Sequence, residues 1–345
     1  MKALTLTAAG RLEHLQLRNL SAPTIQRPDQ ALVRVHAAAL NRLDLWVAEG
    51  LPGAAPHFPH VVASDAAGVV EQVGAEVWQV RPGDRVMINP GLSCGRCSAC
   101  LEGEESLCAE FRIVGEHVGG TAAEYVVVPG ENLALVPDAM SWAEAAAYSL
   151  ATLTAWRMLV TRARLRAGET VLVWGIGGGV AVAALQIAVL VGARTFVTSG
   201  TEAKLETARR LGAVETIHHG QADVVAEVRR LTDGRGVDVV VDSVGESTWP
   251  SSLRALRRGG RLVVCGSTTG PAVSLDLRRL FWHQWSVLGS TMGNRREYAE
   301  IVRLAHQGKL RPVIDRILPL AEGLAAFERL RSGEQTGKLV IEVAP

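Results

Sequence analysis

Cys94, Cys97, Cys100 and Cys108 fall in the stretch CGRCSACLEGEESLC, with the spacing C-x2-C-x2-C-x7-C. Four thiolates this close in sequence can surround one tetrahedral Zn²⁺ without help from the rest of the chain. A closed four-cysteine shell leaves no open coordination position, so the metal it implies holds a loop together and does not bind substrate. The competing reading is two disulfides. Reduced intracellular thiols, and an N-terminus (MKALTLTAAG) without the long apolar core of a signal peptide, argue against it. A second chemical signal is VLVWGIGGGVAVAALQ, which reads as strand, glycine turn, helix. Gly175, Gly177, Gly178 and Gly179 let the backbone approach a pyrophosphate, and the helix start at Gly179 and Val180 offers free N–H groups and positive potential. A lone glycine pattern is a weak signal, and an ordinary tight βα turn reads the same way. Here the pattern follows an expected strand, opens an expected helix and starts an α/β series, which is the context that gives it meaning. Ala181 takes the place of the last glycine of the usual fingerprint.

The next strand ends in Val197-Thr198-Ser199-Gly200-Thr201-Glu202-Ala203-Lys204. An NAD site usually carries an acidic residue at such a strand end, accepting from the ribose 2′-OH. No carboxylate stands at this tip. Ser199, Thr201 and Lys204 can receive a 2′-phosphate instead, with Glu202 the residue that opposes it, so NADP is the expected cofactor and NAD the alternative.

These signals need elements to position them. The first 150 or so residues alternate short β-rich runs (ALVRVHAAAL, AGVVEQVG, DRVMINPG) with Gly and Pro turns, the cysteine lobe being an excursion within them. After Ser141 the rhythm changes to strands (ETVLVWG, RTFVTSG, VDVVVDSVG, GRLVVCGS) separated by helical stretches. Continuous apolar strands between helices predict a parallel sheet covered on both faces. WSVLGST is its expected last strand, and the tail returns to a mixed pattern ending in KLVIEV. Ligands bind beyond the carboxyl ends of such strands, which selects Ser243, Val244 and Gly245, Gly266 and Ser267, and Ser290 and Thr291 as further cofactor contacts.

The 345 residues, 48% of them hydrophobic, suffice for two cores. With 36 Lys and Arg against 35 Asp and Glu, the net charge is +1, and no electrostatic case exists for nucleic acid or an anionic membrane. Three short arginine clusters (Arg162, Arg164 and Arg166; Arg257, Arg258 and Arg261; Arg278 and Arg279) read as solvated helix faces. Thr170 to Ala193 carries no charge and is long enough to span a bilayer, yet its glycines favour a buried strand, turn and helix. The fifth cysteine, Cys265, lies in the apolar run LVVCG and reads as a small buried hydrophobe. The expectation is a soluble cytoplasmic protein.

The cysteine lobe, the run AGVVEQVGAEVWQVRPGDRV, the glycine turn and the closing GKLVIEV occur together in this order. In this the chain resembles the medium-chain dehydrogenase/reductase superfamily, which includes zinc alcohol dehydrogenases and quinone reductases, from Met1 almost to Pro345. The resemblance implies an α/β fold. A GroES-like β-rich catalytic domain would cover 1–150 with 291–345, its zinc lobe at 91–110. A Rossmann domain with a doubly wound parallel sheet would cover 151–290, with the active site in the cleft between the two. It also implies one structural zinc per chain and a homodimer or homotetramer, the strand in QWSVLGS pairing across the dimer.

The same resemblance locates a departure. Alcohol dehydrogenases hold a catalytic zinc through a Cys in a C-x-x-D segment, a His in a G-H-E triplet and a third ligand before a Thr that faces the nicotinamide. The matching positions here are Asn41 of Asn41-Arg42-Leu43-Asp44, Ser64 of Ala63-Ser64-Asp65, and Leu150, four residues before Thr154. Amide, hydroxyl and alkyl groups do not make a normal zinc shell. Leu43 replaces the Ser or Thr of the proton relay. This pattern resembles the quinone and enone reductases that keep the structural zinc and have lost the catalytic one. The expected activity is hydride transfer from NADPH to an activated carbonyl, enone or quinone. Asn41 would contact substrate or nicotinamide ribose, Thr154 pack on the nicotinamide, Asp44 and Asp65 brace the cleft, and Arg42 reach the cofactor phosphates. Tyr148 and His117 are the conceivable proton donors. Two alternatives stay open: a zinc-dependent alcohol or aldehyde dehydrogenase with ligands displaced to His57, His60, Glu116 or His117, and a non-catalytic NADPH-binding protein.

Overall fold

A computed structural model of the protein describes residues 1–53 and 56–344. The chain forms two compact units, Met1–Ala151 with Gly293–Pro345 and Thr152–Met292. The chain passes from one to the other inside the helix Ser149–Trp156, which continues as a π-helical turn over Arg157–Arg162.

The first unit is organised by strand Gln30–Leu40. Its alternation buries Ala31, Val33 and Val35 against the core, and its last four residues are buried on both sides. It pairs antiparallel with Asp65–Val73, with Tyr125–Pro129 and with Lys338–Glu342 in a seven-stranded sheet. Register does the positioning. Ala39 stands opposite Asp65 and Leu40 opposite Leu339. The end of one strand and the starts of two others thus bring Asn41, Asp65 and Lys338 to one corner of the sheet, although Lys338 is 297 residues from Asn41. The cysteine lobe consists of the short helix Ser98–Leu101 and a 3-10 turn Glu105–Leu107, closed by a two-stranded ribbon of Gly91–Leu92 and Arg112–Ile113.

The second unit holds a six-stranded parallel sheet in the order Glu215–His218, Arg194–Ser199, Thr170–Val173, Val237–Asp242, Leu256–Val264, Ser286–Gly289. The chain runs outward from Thr170–Val173 to one edge and then outward to the other, so the order reverses beside that first strand. Such a switch point opens a crevice at the strand carboxyl ends. The uncharged stretch resolves into the buried strand Thr170–Val173 and the helix Gly179–Val191. Among the described residues no helix is long and apolar enough to cross a membrane.

One expectation is corrected here. Arg257 and Arg258 do not lie on a solvated helix face. Val237 pairs with Leu256 and Val239 with Arg261, so the single residue Asp238 faces four on the neighbouring strand, Arg257 to Gly260. The bulge depends on Gly259, whose φ of +66° suits a residue without a Cβ. Buried Asp238 draws both Arg257 and Arg235 toward it.

Candidate active site and metal centre

The four Sγ atoms of Cys94, Cys97, Cys100 and Cys108 all lie within 4.8 Å of one another, and none is in a disulfide. Cys94 and Cys100 are 3.9 Å apart at sulfur, Cys97 and Cys100 3.5 Å. A tetrahedron with Zn–S bonds of about 2.3 Å has edges of about 3.8 Å, so the four sulfurs fit that ion. The N–H of Cys97 is directed at Cys94 Sγ (3.4 Å) and that of Glu110 at Cys108 Sγ (3.3 Å). Backbone donors of this kind favour thiolate: the N–H groups of Arg96 and Cys97 foremost hold the Cys94 thiol down to about 6.

On the second unit, the cofactor contacts expected from sequence all lie at the carboxyl edge of the parallel sheet. Gly175 N–H donates to Thr198 Oγ1 (3.1 Å) and Ile176 N–H to the Thr198 carbonyl, which ties the glycine turn to the next strand. Gly178 caps the helix that begins at Gly179, so the N–H groups of Gly179 and Val180 are in its first turn, where they have no intrahelical acceptor. Lys204 leans over this turn: a Cβ on Gly177 would stand 3.1 Å from its Nζ. Glycine at 177 therefore leaves room for the ammonium beside the helix start. Ser199 is buried and accepts from Thr201 N–H (3.1 Å). Glu202, the acid nearest the strand tip, is turned away into an ion pair with Arg209 (2.7 Å).

Buried Asp242 shapes the next loop. Its Oδ1 accepts from Val244 N–H (2.8 Å) and Gly245 N–H (3.1 Å), while Thr248 and Ser252 donate to its other oxygen. Ser243 sits between, and its carbonyl accepts from Thr268. Gly245 lies against Ser267, whose Cα a Cβ would meet at 2.9 Å; Gly266 precedes it at the end of that strand. Ser290 N–H is held by the Val264 carbonyl, and its buried Oγ has no hydrogen-bond partner among the described residues, while Thr291 is exposed. Thr154 is buried in the same unit with its hydroxyl 3.9 Å from Met292 Sδ.

The first unit gathers Asn41, Asp44 and Asp65 into one buried network. Asn41 N–H donates to Asp44 Oδ2 (2.6 Å), and Asn41 Nδ2 donates to Asp65 Oδ2 (2.9 Å). Ser64 Oγ donates to Asp44 Oδ1 (3.3 Å), and Leu150 N–H donates to Asp65 Oδ1 (2.9 Å). Sequence reasoning missed the residue that completes it. Lys338 Nζ, 4% exposed, donates to Asn41 Oδ1 (2.5 Å) and Asp65 Oδ2 (3.1 Å). The available signal was a lysine opening the apolar closing strand, but its partners follow from register alone. Burial pushes the Asp44 carboxyl up to about 7, against the pull of Asn41 N–H and Lys338, with Asp65 reinforcing the rise. Arg42, half-buried, opens the helix Arg42–Glu49.

Of the other proposed donors and ligands, Tyr148, His60, Glu116 and His117 already have neighbours to bond. Tyr148 gives its hydroxyl proton to the Ile301 carbonyl (2.6 Å), and burial drives its pKa far up. The His60 ring lies 2.9 Å from the Gly115 carbonyl; His117 Nδ1 accepts from Ile113 N–H and stands 3.6 Å from Glu116. His57 is exposed. Among the described residues, the four cysteines alone bring three or more His, Cys, Asp or Glu ligand atoms together. His219 is a second residue that sequence reasoning missed. A Cβ on Gly200 would stand 3.0 Å from its Nε2, so its ring borders the tip of strand Arg194–Ser199.

Two family models match the chain: an alcohol dehydrogenase GroES-like domain over residues 27–138 and a zinc-binding dehydrogenase over 179–307. An NAD-dependent alcohol dehydrogenase of Saccharolobus solfataricus is 32% identical, with 99% of each chain covered. The quinone oxidoreductase of Homo sapiens is 28% identical over 99% of this chain and 97% of its own. A crystal structure of an NAD-dependent alcohol dehydrogenase superposes with a TM-score of 0.96 at 44% identity, covering both chains completely.

Proposed function

The chain belongs to the medium-chain dehydrogenase/reductase superfamily, oxidoreductases that include the zinc-type alcohol dehydrogenases and quinone oxidoreductases, and we propose that it reduces an enone, a quinone or another activated carbonyl with NADPH and without a catalytic zinc ion. The observation that carries this reading is the buried Lys338 ammonium, bonded to both Asn41 and Asp65. It supplies a fixed cation among side chains that offer zinc neither thiolate nor imidazole.

NADPH supplies the hydride; the protein binds, orients and stabilises charge. Conjugation in an enone or quinone spreads the negative charge that develops on the acceptor. Hydrogen-bond donors then suffice where a simple aldehyde needs a Lewis acid. Asn41 is the donor this network prepares. Lys338 fixes its carbonyl end and Asp65 takes one N–H, which orients the other. Burial raises the Asp44 carboxyl to about 7, so it carries less than a full negative charge near neutral pH and opposes an oxyanion nearby less strongly. The NADPH preference is supported by Lys204 over the glycine turn, His219 beside Gly200, and the engagement of Glu202 by Arg209. Free cysteines fit a reducing, cytoplasmic setting, and a homodimer or homotetramer is the assembly implied by the family.

The names of the relatives favour a second reading, NAD-dependent alcohol oxidation. Both readings meet one experiment: oxidation of NADPH and NADH followed across enones, quinones, aldehydes and the reverse reaction with alcohols, before and after treatment with a chelator too weak to strip a four-cysteine site. Turnover of a conjugated acceptor with NADPH, untouched by the chelator, is expected. Alcohol–aldehyde turnover with NAD(H) that the chelator abolishes overturns the proposal. Tight NADPH binding with no turnover on any acceptor makes the chain a binding protein.

A further inference from the structure

The opposite end of the parallel sheet carries a second concentration of charge. A concavity of about 600 Å³ is lined by Arg229, Arg235, Arg254, Arg257, Arg258 and Arg279, together with His283 and Trp285, and no acidic residue lines it. It lies where the strands Val237–Asp242 and Leu256–Val264 begin, whereas the glycine turn follows the end of a strand parallel to them. Six residues of strand separate the two poles by roughly 17 Å.

Ordinary structural duties account for part of this cluster. Arg229, in the last turn of helix Val224–Leu231, donates to the carbonyls of Gly234, Arg235, Arg254 and Leu256. Arg254 ends its own helix, where a cation complements the macrodipole. Arg235 and Arg257 share Asp238; burial raises that carboxyl, but its N–H and guanidinium donors outweigh burial and hold it at about 2.

Arg258 and Arg279 are not explained this way. Neither has a carboxylate within salt-bridge distance among the described residues. Each guanidinium instead rests on an indole face, Arg258 over Trp282 and Arg279 over Trp285, both at 5.7 Å from the ring centroid. A cation–π contact of this kind uses none of the guanidinium N–H groups and leaves them for an acceptor. Trp285 is itself fixed, its Nε1–H donating to the Arg257 carbonyl (2.9 Å) and its ring stacked on His283 at 4.6 Å. The His283 imidazole is pushed below its usual value, by burial first and then by Arg258, Arg279 and Arg229. The arginine contributions to that shift are the mark of a positive field at the ring, even with Asp238 paired to Arg235 and Arg257.

We propose that this concavity is a binding site for a small phosphate-type anion bearing two or more negative charges, gripped by Arg258 and Arg279 on their tryptophan supports and separate from the cofactor crevice. The two guanidiniums are preorganised, Arg229 adds fixed positive charge, and a dianion relieves the repulsion among them. The inference stands apart from the hydride acceptor, since Arg258 and Arg279 line this concavity and not the pocket around Gly175 and Val244, which of the cluster only Arg254 also borders.

The test is calorimetric titration of the intact, cofactor-saturated protein with inorganic pyrophosphate and with ADP, against sodium chloride at matched low ionic strength. Saturation with cofactor blocks the glycine turn, so residual binding reports the new site. Saturable binding is expected, weakened about tenfold or more in Arg258→Ala/Arg279→Ala, with cofactor affinity changed less than twofold. Similar affinity for the two anions assigns the site to phosphoryl groups as such; a tighter hold on ADP assigns it to a nucleotide. If the alanine pair does not fold, Arg258→Lys/Arg279→Lys keeps the charge but loses the stacked, bidentate geometry and is still expected to weaken binding several-fold. No saturable binding to the unaltered protein, or equal affinity in either pair, overturns the proposal.

Discussion

The cysteine lobe and the Asn41–Asp65–Lys338 corner, both in the first unit, face the same problem and meet it differently. Each packs groups that repel or need a cation. In the lobe, four sulfurs lie within 4.8 Å of one another with only backbone N–H groups to oppose their charge, so they require an ion from outside the chain. In the corner, the Asp65 carboxylate and the Asn41 amide are served by an ammonium that belongs to the chain. The lobe is therefore conditional on metal supply, and the corner is complete as folded. On the function proposed above, this difference separates a metal that holds structure from a chemistry that dispenses with one.

Breaking the lobe has the largest expected effect. Cys100→Ser should abolish zinc retention, with a loss of binding energy on the order of 10 kcal/mol as in zinc-finger peptides. Metal analysis and limited proteolysis around residues 91–110 read it directly. A variant that keeps its zinc and its protease resistance contradicts the four-sulfur assignment.

Breaking the corner comes next. Lys338→Met leaves a buried carboxylate and amide without their cation, which costs about 3–5 kcal/mol. Denaturant unfolding should show that loss, and kcat should fall with it, while zinc content stays unchanged. Unchanged stability would mean that Lys338 is not the internal counter-ion described here.

Asp44 sharpens the comparison through pH. Its folded-state pKa of about 7 lies above the ordinary carboxylate value of 3.8. The folded chain thus holds this proton more tightly than the unfolded chain. Its contribution to stability is best below about 4 and is lost as pH rises toward 7. A shift of this size corresponds to at most about 4 kcal/mol. Asp44→Asn, whose amide oxygen can still accept from Asn41 N–H, should flatten that loss; an identical stability–pH curve in the two proteins contradicts it.

The smallest effect concerns the cofactor. Lys204→Ala should raise KM for NADPH about tenfold, the equivalent of roughly 1.4 kcal/mol, and leave KM for NADH nearly unchanged. An equal rise for both cofactors would assign Lys204 to the pyrophosphate and remove one support for NADPH.

The degree to which the sequence disclosed these parts follows from how local each one is. The four cysteines span fifteen residues and the glycine turn five, so spacing alone carries their chemistry. The strand–helix alternation marked the parallel sheet because buried strands such as TVLV and helices such as Gly179–Val191 have distinct periods. Lys338 escaped because its meeting with Asn41 depends on which residue of the closing strand pairs with Leu40. His219 escaped because it lies beyond the strand next to the one whose tip it borders. Arg257 and Arg258 were misassigned because a four-residue bulge has no period, and the pole they share with Arg229 and Arg279 is assembled from separate helices and loops.

The measurement that tests the central contrast most directly is zinc per chain, by elemental analysis of protein purified without added metal. One equivalent, lost in Cys100→Ser and retained in Lys338→Met, is the expected result. Two equivalents would contradict the account: a second ion would then have to be held outside the cysteine lobe, and alcohols and aldehydes would become the substrates to test.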